Sequence, residues 1–107
     1  MSKAIVVEPD AFRPGKTELG TLRHLQRIVG GRVEFVCPVG RDYEIIVNEE
    51  GILQDLPLNL VASMFSNTRL LGPAIFVGRS DDHGNITDIP EDVAEELLSL
   101  HKTVMRS

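Results

Sequence analysis

Two runs rich in β-branched and aromatic residues, VEFVCPV at 33–39 and YEIIVN at 43–48, constrain this chain most. Side chains alternate across a strand, so each run presents two distinct faces. Val33, Phe35 and Cys37 share one face of the first run, and Tyr43, Ile45 and Val47 share one face of the second. Glu34 and Glu44 fall on the other face together with Val36 and Ile46, which makes that face half apolar and a candidate for subunit pairing. Gly40-Arg41 joins the two strands, read as 32–39 and 42–48. Pro38 cannot donate to a ladder and points to an edge or a bulge.

The rest of the chain supplies partners for this hairpin. Residues 3–8, KAIVVE, read as a buried strand that Pro9 ends. Residues 9–16 form a turn-rich loop in which Phe12 serves as an anchor. Residues 18–29 read as a helix: Leu22, Leu25, Ile28 and Val29 recur at helical spacing. Thr21 or Thr17 is the candidate cap, and Gly30-Gly31 ends the helix. The turn Asn48-Glu49-Glu50-Gly51 follows the second strand, and Ile52-Leu53 reads as a short return strand. Residues 58–65 suit a short helix with Asn59 as cap, and 73–78 another strand. A polar loop spans 79–88. The last helix, 90–105, has Asp88 and Glu91 at capping-box spacing and a stripe of Val93, Leu97, Leu100 and Val104.

The order is β-α-β-β-(β)-α-β-α in one domain over residues 1–107. The fold class is α+β: a small, mostly antiparallel sheet of about four to five strands with helices on one face. With no Trp and 5% aromatics, the core rests on Leu, Ile and Val, and the composition disfavours base stacking as the main mode of binding.

Charge and cysteine content bound function further. The net charge is −5, with six cations against two acids over residues 13–41 and seven acids against two cations over 81–107. One cysteine cannot form an internal disulfide, no apolar run reaches membrane-spanning length, and the N-terminal apolar stretch is short for a signal peptide. The reading is a cytoplasmic protein.

The segment 46–59, IVNEEGILQDLPLN, resembles the family of small proteins known as domain of unknown function 3846. Gly30-Gly31, Val33-Glu34, Asn48 to Gly51, Leu56-Pro57 with Asn59, Val77-Gly78 and His83-Gly84 carry the likeness. It implies a phage, plasmid or Gram-positive setting and an accessory role on a mobile element, without an assigned chemistry.

Asn48, Glu49, Glu50 and Asn59 are the polar cluster to single out. Two amides and two carboxylates converging at a sheet end would hold a polar ligand or a cation. The competing reading is turn closure by Asn48 and helix capping by Asn59. Arg23 and Arg27, one helical turn apart, are the candidate anion contacts, within a basic set that includes Arg13, Lys16, Arg32 and Arg41. Asp81, Asp82, His83 and Asp88 do not have metal-loop spacing and read as a flexible solvated loop. Cys37 reads as a buried structural residue, unless His24 or His101 approaches it in space.

The leading reading is a non-enzymatic binding protein without a cofactor. It engages a host protein or a small anionic ligand, possesses a surface for homo-oligomer formation, and interferes with host defence. Two alternatives stand beside it: a nucleotide or nucleic-acid binder using the arginines of 13–41, and a small hydrolase using Glu49 and Glu50.

Overall fold

The computed structural model describes residues 2–9 and 15–106. The elements run β1 (Ser2–Val7), β2 (Gly15–Leu19), α1 (Leu22–Val29), β3 (Val33–Val36), β4 (Tyr43–Asn48), α2 (Leu60–Ser66), β5 (Ala74–Gly78) and α3 (Glu91–Arg106). One sheet holds all five strands in the order β2-β1-β5-β4-β3, every pair antiparallel. The α+β class and the antiparallel sheet are as the sequence indicates.

The helices occupy both faces rather than one. Strands β1, β4 and β5 are central and buried on both sides, so each feeds two cores by alternation. One core gathers Ile5, Val7, Tyr43, Ile45, Val47, Ala74 and Phe76 under α2 and α3, through Val61, Ala62, Val93, Ala94 and Leu97. The other gathers Ala4, Ile46, Ile75 and Val77 under α1, through Leu25 and Val29. Ile5, Ile45, Ile46, Ile75 and Phe76 are completely buried, each stabilising the fold by about 1.5–3 kcal/mol. Tyr43, Phe65 and Phe76 meet at 5.5–6.1 Å between ring centres in the first core.

Residues 15–19 are a strand, where the sequence suggests the end of a loop and the start of a helix. Ala4 opposes Thr17 and Ser2 opposes Leu19 in an antiparallel ladder with β1. Leu19 is buried in the α1-side core. Helix α1 therefore starts at Leu22, with the Thr21 side chain accepting from the His24 amide and Gly30 ending it at φ 85°. Leu22, placed in the apolar stripe by its spacing, is 57% exposed.

The register of the hairpin exchanges the faces of its partners. Val33 opposes Asn48, Phe35 opposes Ile46 and Val36 opposes Ile45. Val33 and Phe35 thus share a face with Ile46, while Glu34 and Val36 share one with Ile45 and Val47. Glu34 and Glu44 lie on opposite faces. Ile46 is fully buried and Val36 packs on the α2/α3-side core, so that pair is not a free face for subunit pairing. β3, as Pro38 suggests, is an edge strand.

Gly78 ends β5 where residues 87 and 88 cross it. Its amide donates to the Thr87 carbonyl at 3.0 Å. A Cβ there would collide with the Asp88 carbonyl oxygen and the Thr87 hydroxyl, which is why a glycine stands at this position. Asp88 ties the approach to α3 onto β1. Its carboxylate accepts from the Lys3 amide at 2.8 Å, and the Ile89 amide donates to the Lys3 carbonyl at 3.0 Å. Phe12 and Arg13 lie outside the described residues, as does the side chain of Val104. No helix of the described residues is long and apolar enough to cross a membrane.

Candidate functional site

Asn48 and Asn59 are buried, and each is consumed by structure. The Asn48 amide group donates to the Val29 carbonyl at 3.2 Å and to Gln54 Oε1 at 3.1 Å, and its Oδ1 accepts from the Glu50 amide at 2.7 Å. It ties the end of α1 to β4 and closes the turn. Asn59 Nδ2 donates to the carbonyls of Val7 and Gly72, both at 2.9 Å, while Oδ1 accepts from the Ala62 amide at 3.1 Å and so caps α2. With these bonds made, neither amide is left over for a ligand. The two do not converge: Asn48 anchors the α1 side, and Asn59 joins β1 to the start of α2.

Glu49 is exposed and Glu50 half-buried. Both line a groove of about 670 Å³ whose other walls include Glu34, Asp55, Leu56, Leu58, Arg69 and Leu71. The loop that forms its floor is held by its own backbone. The Gln54 amide donates to the Glu50 carbonyl at 2.9 Å, Asp55 to Ile52 at 3.1 Å and Leu56 to Gly51 at 2.9 Å. Asp55 takes a left-handed φ of 53°. Ile52 and Leu53 are therefore the outward tip of a hydrogen-bonded turn, not a return strand, and they are 84% and 82% exposed.

Residues 52–58 and Arg69 went unassigned to a site by sequence reasoning. The available signal was an apolar pair between Glu49-Glu50 and Asp55, which reads in the sequence as a short return strand. Glu34, Glu49, Glu50 and Asp55 against Arg69 make the groove acidic, which disfavours a small anion there.

Arg23 and Arg27 are exposed on α1, away from this groove. Arg32 stands at the start of β3, and Arg41 lies in the β3–β4 connection, where its carbonyl accepts from Arg79 Nη1 at 3.0 Å. The side chain of Lys16 is outside the described residues, so no single arginine-rich patch is established.

Glu44, which the sequence puts on a half-apolar face, is a buried carboxylate. It is 6% exposed and accepts from the Ser80 amide and the Ser80 hydroxyl, both at 3.0 Å. Cys37, read as buried, is exposed. Partial burial, the Glu44 charge and a hydrogen bond to that carboxylate push its thiol above the ordinary value of 9.0, against a lowering effect of Arg79. A raised thiol is a poor nucleophile. His24 Nδ1 instead accepts from the Gly20 amide at 3.3 Å, and the His101 side chain lies outside the described residues.

The 79–88 loop is ordered by Asp81. Its carboxylate accepts from the amides of Asn85 and His83 at 2.9 and 2.8 Å, and these bonds hold it below the usual carboxylate range. No group of three His, Cys, Asp or Glu is placed to hold a metal ion among the described residues.

No curated protein and no solved structure matches this chain. The family model named Domain of unknown function (DUF3846) matches residues 1–102, and the chain belongs to that family.

Proposed function

We propose that the protein is a non-enzymatic docking module. Its groove between β3, the 49–58 turn and residues 69–71 takes a segment of a partner protein that carries both cationic and apolar side chains. The observation that carries this reading is the pair Ile52 and Leu53, 84% and 82% exposed, on a turn fixed by three backbone hydrogen bonds beside four carboxylates. Large aliphatic groups held in water side by side on a rigid turn form an apolar patch of the kind that marks an interaction site. The acids around them select positive charge and speed its approach. The mobile-element setting implied by the sequence resemblance makes a host protein the class of partner.

Glu49 is exposed and Glu50 only half-buried, and neither is paired with a positioned base or nucleophile by any hydrogen bond described above. Acid–base work by these two requires such a partner.

The test is titration with an extended peptide of alternating lysine and leucine, followed by amide shifts. Shifts should centre on residues 49–58, weaken with salt, and vanish in the Ile52→Asp/Leu53→Asp variant. Equal shifts with a glutamate–leucine peptide, or shifts centred elsewhere, would refute the proposal.

A further inference from the structure

β3 forms one rim of the sheet, and among the described residues no strand pairs with its outer side. The Glu49 amide donates to the Arg32 carbonyl at 2.8 Å, extending the β3–β4 register by one residue. Opposed residues of an antiparallel pair alternate between exchanging backbone hydrogen bonds and not doing so. Arg32, Glu34 and Val36 therefore bond inward to β4. Val33 and Phe35 turn their amides and carbonyls outward. Phe35 is also 42% exposed on the α1 side of this rim.

We infer that this rim pairs with the same rim of a second copy, antiparallel about a twofold axis through Val33. Charge decides the register. Three registers match outward-facing groups with outward-facing groups. Pairing Val33 with Phe35 of the second copy sets Glu34 against Glu34. Pairing Phe35 with Phe35 sets Glu34 against Val36. Pairing Val33 with Val33 sets Arg32 of each copy opposite Glu34 of the other, twice.

Opposite charges across a strand pair stabilise it and like charges weaken it. Only the third register is favoured, and it also lays Phe35 over Gly31 of the second copy. Charged side chains on an edge ordinarily block pairing. Here one cation and one anion flank Val33, so of the shifted registers one is repelled and the other gains no charge pair, while the aligned one gains two. The arrangement is isologous and closes at two copies.

This rim shares Glu34 with the wall of the docking groove but not the Ile52-Leu53 tip, and its test, made on the chain without peptide, does not depend on the docking function. A rim of about five residues is small for a stable interface. The dimer should accordingly form within the micromolar range, with mass rising from 11.8 kDa toward twice that value as concentration increases. Sedimentation of the full chain reads this directly. Arg32→Glu and Glu34→Arg should each weaken the dimer by about tenfold or more, and the double exchange should restore it.

Hydrogen exchange on the unmodified chain supplies an independent readout. The Val33 and Phe35 amides should gain protection with concentration, while the Glu34 amide, already bonded to β4, should not. This measurement decides the matter if a reversed variant fails to fold. A wild type that stays monomeric throughout overturns the inference, as does a dimer indifferent to both reversals. So does protection of these amides that appears only on adding the lysine–leucine peptide, which would assign the rim to a foreign strand.

Discussion

Asn59 separates a cap from a clamp, and two substitutions tell them apart. As an N-cap alone, Asn59 should exchange with Asp at almost no cost, because the two cap equally well. The geometry demands more. Nδ2 donates to two backbone carbonyls, Val7 and Gly72, from different parts of the chain, while Oδ1 holds the Ala62 amide. The side chain is 1% exposed, so water cannot replace a lost partner. Asn59→Ala removes the cap, at about 1 kcal/mol. It also withdraws a donor from two buried carbonyls, at about 1–3 kcal/mol for each one left unsatisfied. The expected loss is about 3–7 kcal/mol.

Asn59→Asp keeps the cap but points a carboxylate oxygen at those carbonyls. It should cost at least as much as the alanine at neutral pH, and recover part of the loss in acid as the carboxyl gains a proton to donate. With no Trp in the chain, urea unfolding is followed by far-ultraviolet circular dichroism. A loss of 3 kcal/mol moves the midpoint by about 2 M at a slope of about 1.5 kcal/mol/M. An Asp variant within about 0.5 kcal/mol of the wild type would refute the clamp.

Two further outcomes rest on single contacts. Gly78→Ala forces a methyl group into the Asp88 carbonyl and should cost about 3 kcal/mol by thermal unfolding, whereas Gly20→Ala, which meets nothing, should be nearly neutral. Cys37 and Tyr43 both titrate above their ordinary values, Tyr43 because of burial first, with Arg41 opposing and Glu96 and Asp42 adding to it. Both groups hold their proton more tightly folded than unfolded, so their contribution is intact below the ordinary values and is lost as pH rises through the raised ones. Stability should therefore fall above about pH 9, more gently in a Cys37→Ser/Tyr43→Phe variant; an unchanged slope would count against the assignment. Glu44→Gln should speed thiol modification of Cys37, since it removes the neighbouring charge and weakens the acceptor.

Much of the architecture was legible because burial leaves periodicity. β1, β4 and β5 read as strands since each is packed on both faces, and α3 read from its stripe and its acidic first turn. β2 did not, for a physical reason. Of its five residues only Leu19 is a large apolar one, so no alternation marks it. Its stability comes from the ladder to β1, a long-range property that a local pattern does not hold. Helices on both faces were concealed for a related reason: a central strand that is apolar throughout does not say which layer covers which side.

The hairpin faces were within reach. A connection of Gly40-Arg41 pairs residue 39 with residue 42, which sets odd positions of the first strand opposite even positions of the second. Followed to the end, that parity puts Phe35 against Ile46, as found, and separates Glu34 from Glu44. The consequence reaches the site. Once Glu34 falls on the face of Val47, it joins Glu49, Glu50 and Asp55 around the groove, and Glu44 is carried to the opposite face, where Ser80 satisfies it. The same parity leaves Val33 and Phe35 with outward backbone groups. One connection, residues 37–42 with the Arg41 amide donating to the Pro38 carbonyl, thus sets both the charge of the docking groove and the residue on which a second copy would align. Lengthening the turn by one residue should shift both together, because a one-residue slip exchanges every side chain between faces.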